Sequence, residues 1–238
     1  MPLFSYSSPS PLKEMGTQGV RLTKTRLKPS FAEEKSLLSQ GYWLVAGIDE
    51  VGRGALVGPV VAAAVILPQS VRARWRGKVR DSKQLSAAKR EFLSECIHEV
   101  AVSVGIGVIA PGIIDAQGIA RATRLAMKSA VSQLSPQPQY LLIDYIRLPE
   151  VPLPQKGVTD GDSLCFSIAC ASIVAKVARD RMMVELDAVY PDYGLARHKG
   201  YGTEEHLACL RRYGPCPLHR RSFQPVREIT ESFLAKLS

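Results

Sequence analysis

The sequence predicts an α/β protein built on one mixed sheet with helices on both faces. Two apolar runs, at about residues 43–49 and 57–67, come first, and glycines bound the connection between them, as expected for two strands. Helix-like and strand-like segments then alternate along the chain, which is the order that covers both faces of a sheet with helices. An apolar content of 46% over 238 residues is sufficient for a substantial core.

The middle of the chain supplies a loop, two helices and a strand. Residues 68–83 form a basic loop, and Ser86 is placed to cap a helix that continues to about Val100. This helix carries core-spaced apolar residues: Phe92, Leu93, Cys96, Ile97 and Val100. Residues 101–110 are rich in β-branched residues and predict a third strand. A second helix then continues to about Leu134.

The last hundred residues begin with a short buried strand, 140–144, that ends at an acid. A proline-rich stretch follows it and is predicted to be irregular. The most apolar helix comes next, at about 166–190, and its alanines permit close approach to a sheet. Residues 194–202 are predicted to be a loop, followed by a helix at about 203–212 and a last helix from about residue 225.

Composition divides the chain into three parts. Residues 1–40 are predicted to be mainly a disordered basic extension, because serine, proline and basic residues dominate its first thirty positions, although 31–40 could form a short helix. An organellar transit peptide is the alternative for this extension. Residues 41–194 form the sheet domain, and residues 195–238 form a small helical part.

The charge and the cysteines narrow the function classes. A net charge of +9 favours a polyanionic partner, either nucleic acid or an anionic membrane. Much of that charge lies in two blocks, 72–83 and 197–221, which suggests a groove whose basic residues contact backbone phosphates. The cysteine count is odd and no Cys-x-x-Cys occurs, which is typical of reduced thiols in a cytoplasmic protein. The sequence contains no apolar run of 18 residues and therefore predicts no transmembrane helix.

Four acids share one kind of position, at the end of a buried strand or just before a buried helix: Asp49, Glu50, Asp144 and Asp162. In an open α/β sheet such ends gather at one edge. Carboxylates gathered there repel one another unless cations lie among them, and their hard oxygens suit Mg²⁺ or Mn²⁺. Two such ions can stabilise both oxygens of a phosphodiester displacement. Taken singly, each acid could also be an ordinary cap or turn residue.

A Gly-Arg-Gly turn follows the first two acids. Gly52 and Gly54 let backbone N–H groups approach a ligand closely, and Arg53 offers a planar donor fork that matches phosphate. The alternative is a tight hairpin with a surface salt bridge.

Seven motifs occur in one order along the chain: GIDEVGRG at 47–54, DSKQLS at 81–86, LID at 142–144, GDS at 161–163, ASIVAK at 171–176, HKGY at 198–201 and HRRSF at 219–223. Over about residues 43–228 the chain closely resembles ribonuclease HII, the bacterial type 2 ribonuclease H. The resemblance implies a ribonuclease H-like fold and a two-metal endonuclease that acts on RNA paired to DNA. It also implies cleavage on the 5′ side of ribonucleotides embedded in duplex DNA, which leaves 3′-OH and 5′-phosphate ends and serves ribonucleotide removal.

The resemblance assigns roles to individual residues. It implies that the four acids are the catalytic, metal-binding carboxylates. It implies that the junction between RNA and DNA is read by Gly52, Arg53, Gly54 and Tyr201. Three lysines are candidate phosphate contacts, with solvated surface positions as the alternative: Lys83, Lys176 and Lys199. The expected partners are RNA/DNA hybrids and ribonucleotide-containing duplex DNA, and the protein is expected to be a monomer with no membrane or organic cofactor.

Two positions depart from the family pattern. Tyr145 stands where the family usually has glycine after the third acid, and Gly118 stands where a helix usually opens with asparagine. Neither is one of the four acids, but Tyr145 could narrow the site or point away from it. The fine substrate preference therefore does not follow from the resemblance.

Three alternatives remain open at this point. The chain could be a nuclease of the same fold class that cuts DNA junctions, or a nucleic-acid-binding module without catalysis. His206, Cys209, Cys216 and His219 have zinc-like ligand types, but the spacing of the two pairs is tighter than in a zinc finger, and packed thiols are the preferred interpretation. His198 is expected to make a phosphate or structural contact rather than to act as a general base.

Overall fold

A computed structural model describes residues 28–235 and shows one mixed five-stranded sheet flanked by helices. The strands are β1 (Val45–Val51), β2 (Val60–Ile66), β3 (Ser103–Ile109), β4 (Tyr140–Asp144) and β5 (Gln155–Val158). Their order across the sheet is β3-β2-β1-β4-β5. The β1–β2 and β2–β3 pairs are antiparallel, and the β1–β4 and β4–β5 pairs are parallel. The predicted mixed sheet is confirmed, but β5 lies in the stretch that was predicted to be irregular.

The helices are α1 (Ala32–Ser39), α2 (Ala87–Val100), α3 (Pro111–Gln117), α4 (Ile119–Ser132), α5 (Gly161–Leu164), α6 (Phe166–Val189), α7 (Leu195–His198), α8 (Glu204–Tyr213) and α9 (Gln224–Leu234). Short 3₁₀ turns lie at Arg74–Lys78, Ser82–Gln84 and Pro191–Tyr193. The predicted cap of α2 is present, since the Ser86 hydroxyl accepts a hydrogen bond from the Lys89 amide. Within the described residues, no helix is both long and apolar enough to cross a membrane.

Three details of the helices differ from the sequence prediction. The single helix predicted after β3 is divided into α3 and α4 at Gly118, whose φ of +78° is outside the helical region and is available to glycine at little cost. Phe92, predicted to face the core, is 47% exposed on α2, whereas its neighbours Leu93 and Ile97 are buried. Residues 194–202, predicted to be a loop, contain the one-turn helix α7.

The folded part of the chain begins before residue 40. Phe31 is buried against the ring of Phe166, with ring centroids 4.5 Å apart. The Glu34 carboxylate on α1 accepts a hydrogen bond of 2.8 Å from the Ser167 amide in the first turn of α6. Residues 31–40 are therefore part of the core assembly rather than of an extension, and residues 1–27 of the predicted extension lie outside the described residues.

The sheet is covered on both faces, which explains the uninterrupted apolar run of β2. Ala63 and Val65 pack toward α2 and α6 on one face, while Ala62 and Ala64 pack toward α4 on the other. Every residue of β2 is buried. A strand buried on both faces shows continuous rather than alternating hydrophobicity.

Helix α6 lies unusually close to β1, and a glycine makes this approach possible. A Cβ placed on Gly47 would lie 2.2 Å from the Ser167 carbonyl carbon. Because the obstructing atom belongs to the helix backbone, it cannot move away cheaply. Gly47 therefore fixes the depth at which α6 sits on the sheet, two residues before the first acid.

Gly47→Ala is expected to lower the free energy of unfolding by about 3 kcal/mol, because the new methyl group must displace α6. Urea unfolding of the purified protein measures the change. Gly112→Ala is the matched control, since Gly112 lies in α3 and a Cβ there would meet no heavy atom within 4 Å. Equal urea midpoints for the two variants would contradict the close contact at Gly47.

Candidate active site

The four acids lie at one edge of the sheet. The parallel pairing of Ile48 with Ile143 places the next residues on the two strands, Asp49 and Asp144, side by side. Glu50 follows Asp49 on β1, and Asp162 lies in α5 with 9% of its surface exposed. A pocket of about 530 Å³ is lined by Asp49, Glu50, Val51, Ser82, Lys83, Arg90, Asp144, Ser172, Lys176 and Tyr201.

Main-chain groups hold two of the carboxylates. An Asp49 oxygen accepts a hydrogen bond of 2.7 Å from the Glu50 amide, and an Asp144 oxygen accepts one of 2.8 Å from the Gly161 amide. The Gly161 contact ties the end of β4 to α5, the helix that carries Asp162. Backbone amides therefore orient the Asp49 and Asp144 carboxylates, and the Gly161 bond keeps Asp144 close to the helix of Asp162.

Burial raises the pKa of all four acids. The pKa of Asp49 lies well above its usual range, first because of burial and then because of the neighbouring Glu50 and Asp144 carboxylates. Burial also raises the pKa of Glu50, although the Arg53 guanidinium opposes this shift. Burial raises the pKa of Asp144 and Asp162 as well. The site therefore favours cations, because positive charge nearby would stabilise the ionised carboxylates beyond what their hydrogen bonds supply.

The donor set fits a hard divalent cation in an open site. Carboxylate oxygens are the ligands that Mg²⁺ and Mn²⁺ prefer. Within residues 28–235, no group of three or more His, Cys, Asp or Glu side chains is arranged so that it could hold a metal ion by itself. An open arrangement is compatible with Mg²⁺, which typically keeps several waters and is bound by few carboxylates together with substrate phosphates.

The three candidate lysines occupy different environments. The Lys83 side chain is 81% exposed, and its ammonium lies 3.7 Å from a carboxylate oxygen of Asp162, next to the acids. Lys176 lines the same pocket and donates a hydrogen bond of 2.7 Å to Asp180. Lys199 lies apart from the acids, in a second pocket between α2 and α6, and its ammonium donates to the Ala196 carbonyl. The structure therefore places two of the three lysines beside the acids.

The Gly-Arg-Gly turn directly follows β1. Gly52 has a φ of +88°, and a Cβ there would lie 2.2 Å from Nε of Arg179, so only glycine fits. The Arg53 guanidinium donates a hydrogen bond of 3.2 Å to Glu50, while Gly54 is exposed with open space around it. The turn thus presents open main chain at Gly54, while Gly52 is buried against Arg179.

Two fully buried arginines stabilise the β1–β2 connection by hydrogen bonds to its main-chain carbonyls. The Arg179 guanidinium donates hydrogen bonds of 3.0 Å to the Pro59 carbonyl, 3.2 Å to the Val57 carbonyl and 2.8 Å to the Lys199 carbonyl. The Arg220 guanidinium donates to the Gly58 carbonyl at 2.9 and 3.0 Å and to the Arg53 carbonyl at 2.9 Å. These bonds fix the turn relative to α6 and to the C-terminal part.

These contacts correct one prediction and add a residue that was missed. Arg220 was predicted to contact a backbone phosphate, but it is 0% exposed and all of its hydrogen bonds go to main-chain carbonyls. Arg179 was not identified from the sequence. An arginine in the middle of the most apolar helix was the available signal, because a buried charge requires a specific set of partners.

The basic loop before α2 is mostly exposed, as a phosphate-binding surface requires. Its exposed cations are Arg72, Arg74, Arg76, Lys78 and Lys83. Two of them rest on aromatic rings, with the Arg76 guanidinium 4.9 Å from the Phe31 ring centroid and the Lys78 ammonium 5.3 Å from that of Phe92. The loop therefore keeps its positive charge at the surface, and Lys83 brings part of it beside the acids.

Tyr201 is 36% exposed at the rim of the acid pocket. Its ring lies 5.6 Å from the Arg179 guanidinium carbon and 5.9 Å from the Lys176 ammonium. The family departure at Tyr145 has a different environment, since this side chain is 71% exposed and its backbone has a φ of +60°. Of the two tyrosines, only Tyr201 lines the pocket.

The histidines make structural contacts. His198 makes a hydrogen bond of 2.7 Å with the Tyr193 carbonyl and accepts one of 3.2 Å from the Gly200 amide. His206 and His219 bond directly to each other through their Nε2 atoms, 3.1 Å apart. The ring nitrogens that zinc would need are therefore already engaged with protein groups.

Solved structures with the same fold come from type 2 ribonucleases H. The crystal structure of ribonuclease H2 from Pyrococcus horikoshii OT3 superposes with a TM-score of 0.69 at 26% identity, covering 80% of this chain and 99% of that one. The ribonuclease HII in the PCNA:RNase HII complex from Archaeoglobus fulgidus gives a TM-score of 0.65 at 26% identity, covering 78% and 96%. The fold class is thus that of the type 2 ribonucleases H.

A family model for ribonuclease HII matches residues 46–226. Ribonuclease HII of Dehalococcoides mccartyi strain BAV1 is 58% identical over 203 residues, covering 85% of this chain and 96% of that protein. Ribonuclease HII of Desulfitobacterium hafniense strain DCB-2 is 52% identical over 203 residues, covering 85% and 77%. The chain belongs to the ribonuclease HII family. It is an endoribonuclease of the ribonuclease H type, which depends on a divalent metal and acts on the RNA of RNA/DNA hybrids.

Asp49→Asn is expected to stabilise the fold in the presence of a chelator. The raised pKa means that the folded protein binds this proton more tightly than the unfolded chain, so stability falls as pH rises from about 4, the unfolded value, through the folded pKa. Asparagine keeps the acceptor for the Glu50 amide and removes the titration. The gain above the folded pKa should be about 1.4 kcal/mol for each unit of pKa shift.

Urea unfolding at several pH values in EDTA measures this effect. Asp192→Asn is the control, because Asp192 is exposed in the Pro191–Tyr193 turn. If the stability of Asp49→Asn depended on pH in the same way as that of the wild type and of Asp192→Asn, the pKa of Asp49 would not be raised in the folded protein.

Proposed function

We propose that this protein cuts the RNA strand of hybrids and also cleaves on the 5′ side of ribonucleotides embedded in duplex DNA, leaving 3′-OH and 5′-phosphate ends. The observation that carries the proposal is the shared pocket, in which Asp49, Glu50 and Asp144 lie together with Tyr201. The acids would support phosphodiester hydrolysis, and Tyr201 would select where it occurs. The cellular role would be ribonucleotide removal from DNA, in the cytoplasm, by a monomer.

The acids would hold Mg²⁺ or Mn²⁺ as the cofactor. Asp49, Glu50, Asp144 and Asp162 are the candidate ligands, and their raised pKa values support this assignment because a bound cation would stabilise the ionised forms. When bound, the ions would supply an activated water and stabilise the charge that develops on the phosphate. Around them, Lys83 and Lys176 are positioned to orient the scissile strand by contacting its phosphates.

The turn and Tyr201 would distinguish RNA from DNA. Only the 2′-OH separates the two sugars, so its reader must offer hydrogen-bonding groups at fixed positions. Gly52-Arg53-Gly54 offers main-chain groups beside Asp49 and Glu50, held in place by the buried Arg220. The Tyr201 hydroxyl would bond the 2′-OH, and its ring would pack on the following sugar, where a deoxyribose fits.

The division into a catalytic part, 41–194, and a C-terminal substrate-binding part, 195–238, is also proposed. Main-chain hydrogen bonds support cooperation between the two parts, because the Leu56 amide donates to the Gly200 carbonyl at 2.8 Å. The Gly58 amide likewise donates to the Leu218 carbonyl at 3.0 Å. The duplex would lie in the groove between the basic loop and this C-terminal part. Lys199 would contact a phosphate farther from the acids than the other two lysines.

Asp49→Asn is expected to lower kcat on a labelled hybrid by several orders of magnitude, while hybrid affinity is retained or improves because repulsion of the phosphate decreases. Mn²⁺ at one hundred times its Kd should stabilise the wild type by about 2.7 kcal/mol, and should not stabilise the variant. Thermal unfolding with and without Mn²⁺ gives the second measurement. Near-normal turnover by Asp49→Asn would show the assignment to be wrong, and Asp192→Asn again serves as the control.

Tyr201→Phe is expected to lose roughly 1–3 kcal/mol of transition-state stabilisation on a duplex with one ribonucleotide, because the hydroxyl contact to the 2′-OH is removed. Tyr201→Ala should lose more, since the packing surface is also removed. The quantity to measure is the ratio of single-ribonucleotide to long-hybrid kcat/KM. Tyr213→Ala is the control, since Tyr213 is similarly exposed at 41% but lies outside the pocket. An unchanged ratio in Tyr201→Ala would exclude junction reading by this residue.

A further inference from the structure

Three of the four histidines of the chain form a cluster behind Tyr201, in which His206 and His219 are buried and His198 is half-buried. The rings of His198 and His206 are stacked with centroids 4.4 Å apart, and those of His206 and His219 are 5.3 Å apart. His206 is 0% exposed and His219 is 1% exposed. None of the three lines the pocket that holds the acids, so the proposed chemistry gives them no direct part.

The hydrogen bonds of this cluster run in one direction. The Cys216 amide donates to Nδ1 of His219 at 3.0 Å, so Nδ1 carries a lone pair and the proton of the neutral ring is on Nε2. That Nε2–H faces Nε2 of His206 at 3.1 Å, which must therefore be the acceptor. The proton of His206 is then on Nδ1, where it donates to the Tyr201 carbonyl at 2.9 Å. One main-chain amide thus determines both tautomers.

The same segment is held on its other side by His198. The Gly200 amide donates to Nδ1 of His198, and the Tyr201 amide donates to the His198 carbonyl at 3.1 Å. Nε2 of His198 then donates to the Tyr193 carbonyl. Imidazoles therefore hold the backbone of Tyr201 and its neighbour from both sides.

The far end of this chain of hydrogen bonds lies against the β1–β2 connection. His219 forms an isolated β-bridge with Val57, and the Arg220 amide donates to the Leu56 carbonyl at 2.8 Å. The cluster therefore spans the space between the connection that contains the Gly-Arg-Gly turn and the segment that carries Tyr201. These are the two elements that the proposed reading of the junction requires at a fixed separation.

We infer that His219 and His206 are positioning residues for Tyr201, which act as a relay of two neutral imidazoles that fixes the Tyr201 segment relative to the Gly-Arg-Gly turn. This inference rests on the proposed reading of the junction by Tyr201. The relay requires both rings to be neutral. A second proton on His219 would lie on Nδ1 and face the Cys216 amide N–H, and a second proton on His206 would lie on Nε2 and face the His219 N–H.

The surroundings of the relay favour the neutral rings. The groups that face the two rings are the His198 ring, the Tyr193 ring and the Cys216 thiol, and no carboxylate among residues 28–235 hydrogen-bonds to either imidazole. Two buried cations, Arg179 and Arg220, lie behind the adjoining β1–β2 connection. Burial lowers the pKa of His219 to about 4 and also lowers that of His206. The relay is therefore expected to be present at neutral pH.

A pair of substitutions at His206 separates the role of its Nδ1 proton from that of its bulk. An asparagine amide nitrogen occupies the place of Nδ1, so His206→Asn keeps a donor for the Tyr201 carbonyl, whereas His206→Gln places its amide near Nε2 and loses that donor. His206→Gln should lower the single-ribonucleotide to long-hybrid ratio about tenfold. His206→Asn should lower it by a smaller factor, because it keeps the donor for the Tyr201 carbonyl but leaves the His219 Nε2–H without its acceptor. The control is His98→Gln, since His98 lies on α2 outside the cluster and contacts Ser94.

A second measurement does not depend on activity or on the folding of a variant. Long-range ¹H–¹⁵N spectra of the wild type at pH 7 should show His206 protonated at Nδ1 only and His219 protonated at Nε2 only. Any other tautomer, or a charged ring, would overturn the relay.

The two proposals fail in distinguishable ways. In the Tyr201→Ala background, His206→Gln should cause no further change in the ratio, and a further change would show that the relay does not act through Tyr201. A folded His206→Gln protein with the wild-type ratio would also overturn the inference. If instead Tyr201→Ala itself keeps the wild-type ratio while the tautomers are as expected, junction reading by Tyr201 is wrong, and with it the functional role of the relay.

Discussion

The parallel pairing of β1 with β4 is the interaction on which the site depends. It joins residues almost one hundred positions apart and places Asp49 beside Asp144 at the ends of the two strands. The close approach of α6 at Gly47 holds β1 from one face, and the Gly161 amide connects Asp144 to the helix that carries Asp162. Without this pairing the acids would be isolated turn residues.

Gathering four partly buried carboxylates is electrostatically unfavourable, and the surrounding structure is arranged to supply positive charge. Arg53 and Lys83 each approach an acid directly, and the exposed basic loop adds further cations at the surface. A polyanionic substrate brings phosphate to the same place, so in the proposed function this surplus of positive charge would also serve binding. The basic residues around the pocket therefore offset the repulsion among the carboxylates inside it.

The Gly-Arg-Gly turn and Tyr201, which are proposed to read the junction, come from distant segments, and buried polar groups connect them. Arg179 on α6 and Arg220 in the C-terminal part donate only to main-chain carbonyls, so they stabilise one conformation of the β1–β2 connection rather than an ion pair. Satisfied buried donors of this kind are costly to disturb, because each lost partner leaves a desolvated charge. The imidazoles of His206 and His219 extend the same main-chain support to the segment of Tyr201.

The sequence alone determined the fold class and the positions of the acids along the chain. Hydrophobic runs, the Ser86 cap and the order of strands and helices are local properties, and they predicted the mixed sheet. The location of the four acids, at strand ends or just before a buried helix, was also readable, although their roles as metal ligands remain predictions. Local patterns were sufficient for these points because they depend on residues that are close in sequence.

Only the tertiary structure decided which side chains face solvent and which meet. Strand β5 forms because β4 offers an unpaired edge, which no pattern in its proline-flanked sequence reveals. Phe92 has core spacing on α2 but is exposed, and Arg220 reads as a surface charge but is buried. The hydrogen bond between His206 and His219 joins two segments whose spacing resembled a weak zinc motif. In each case the outcome depends on partners that are distant in sequence, and burial and hydrogen bonding to such partners are set only when the chain has packed.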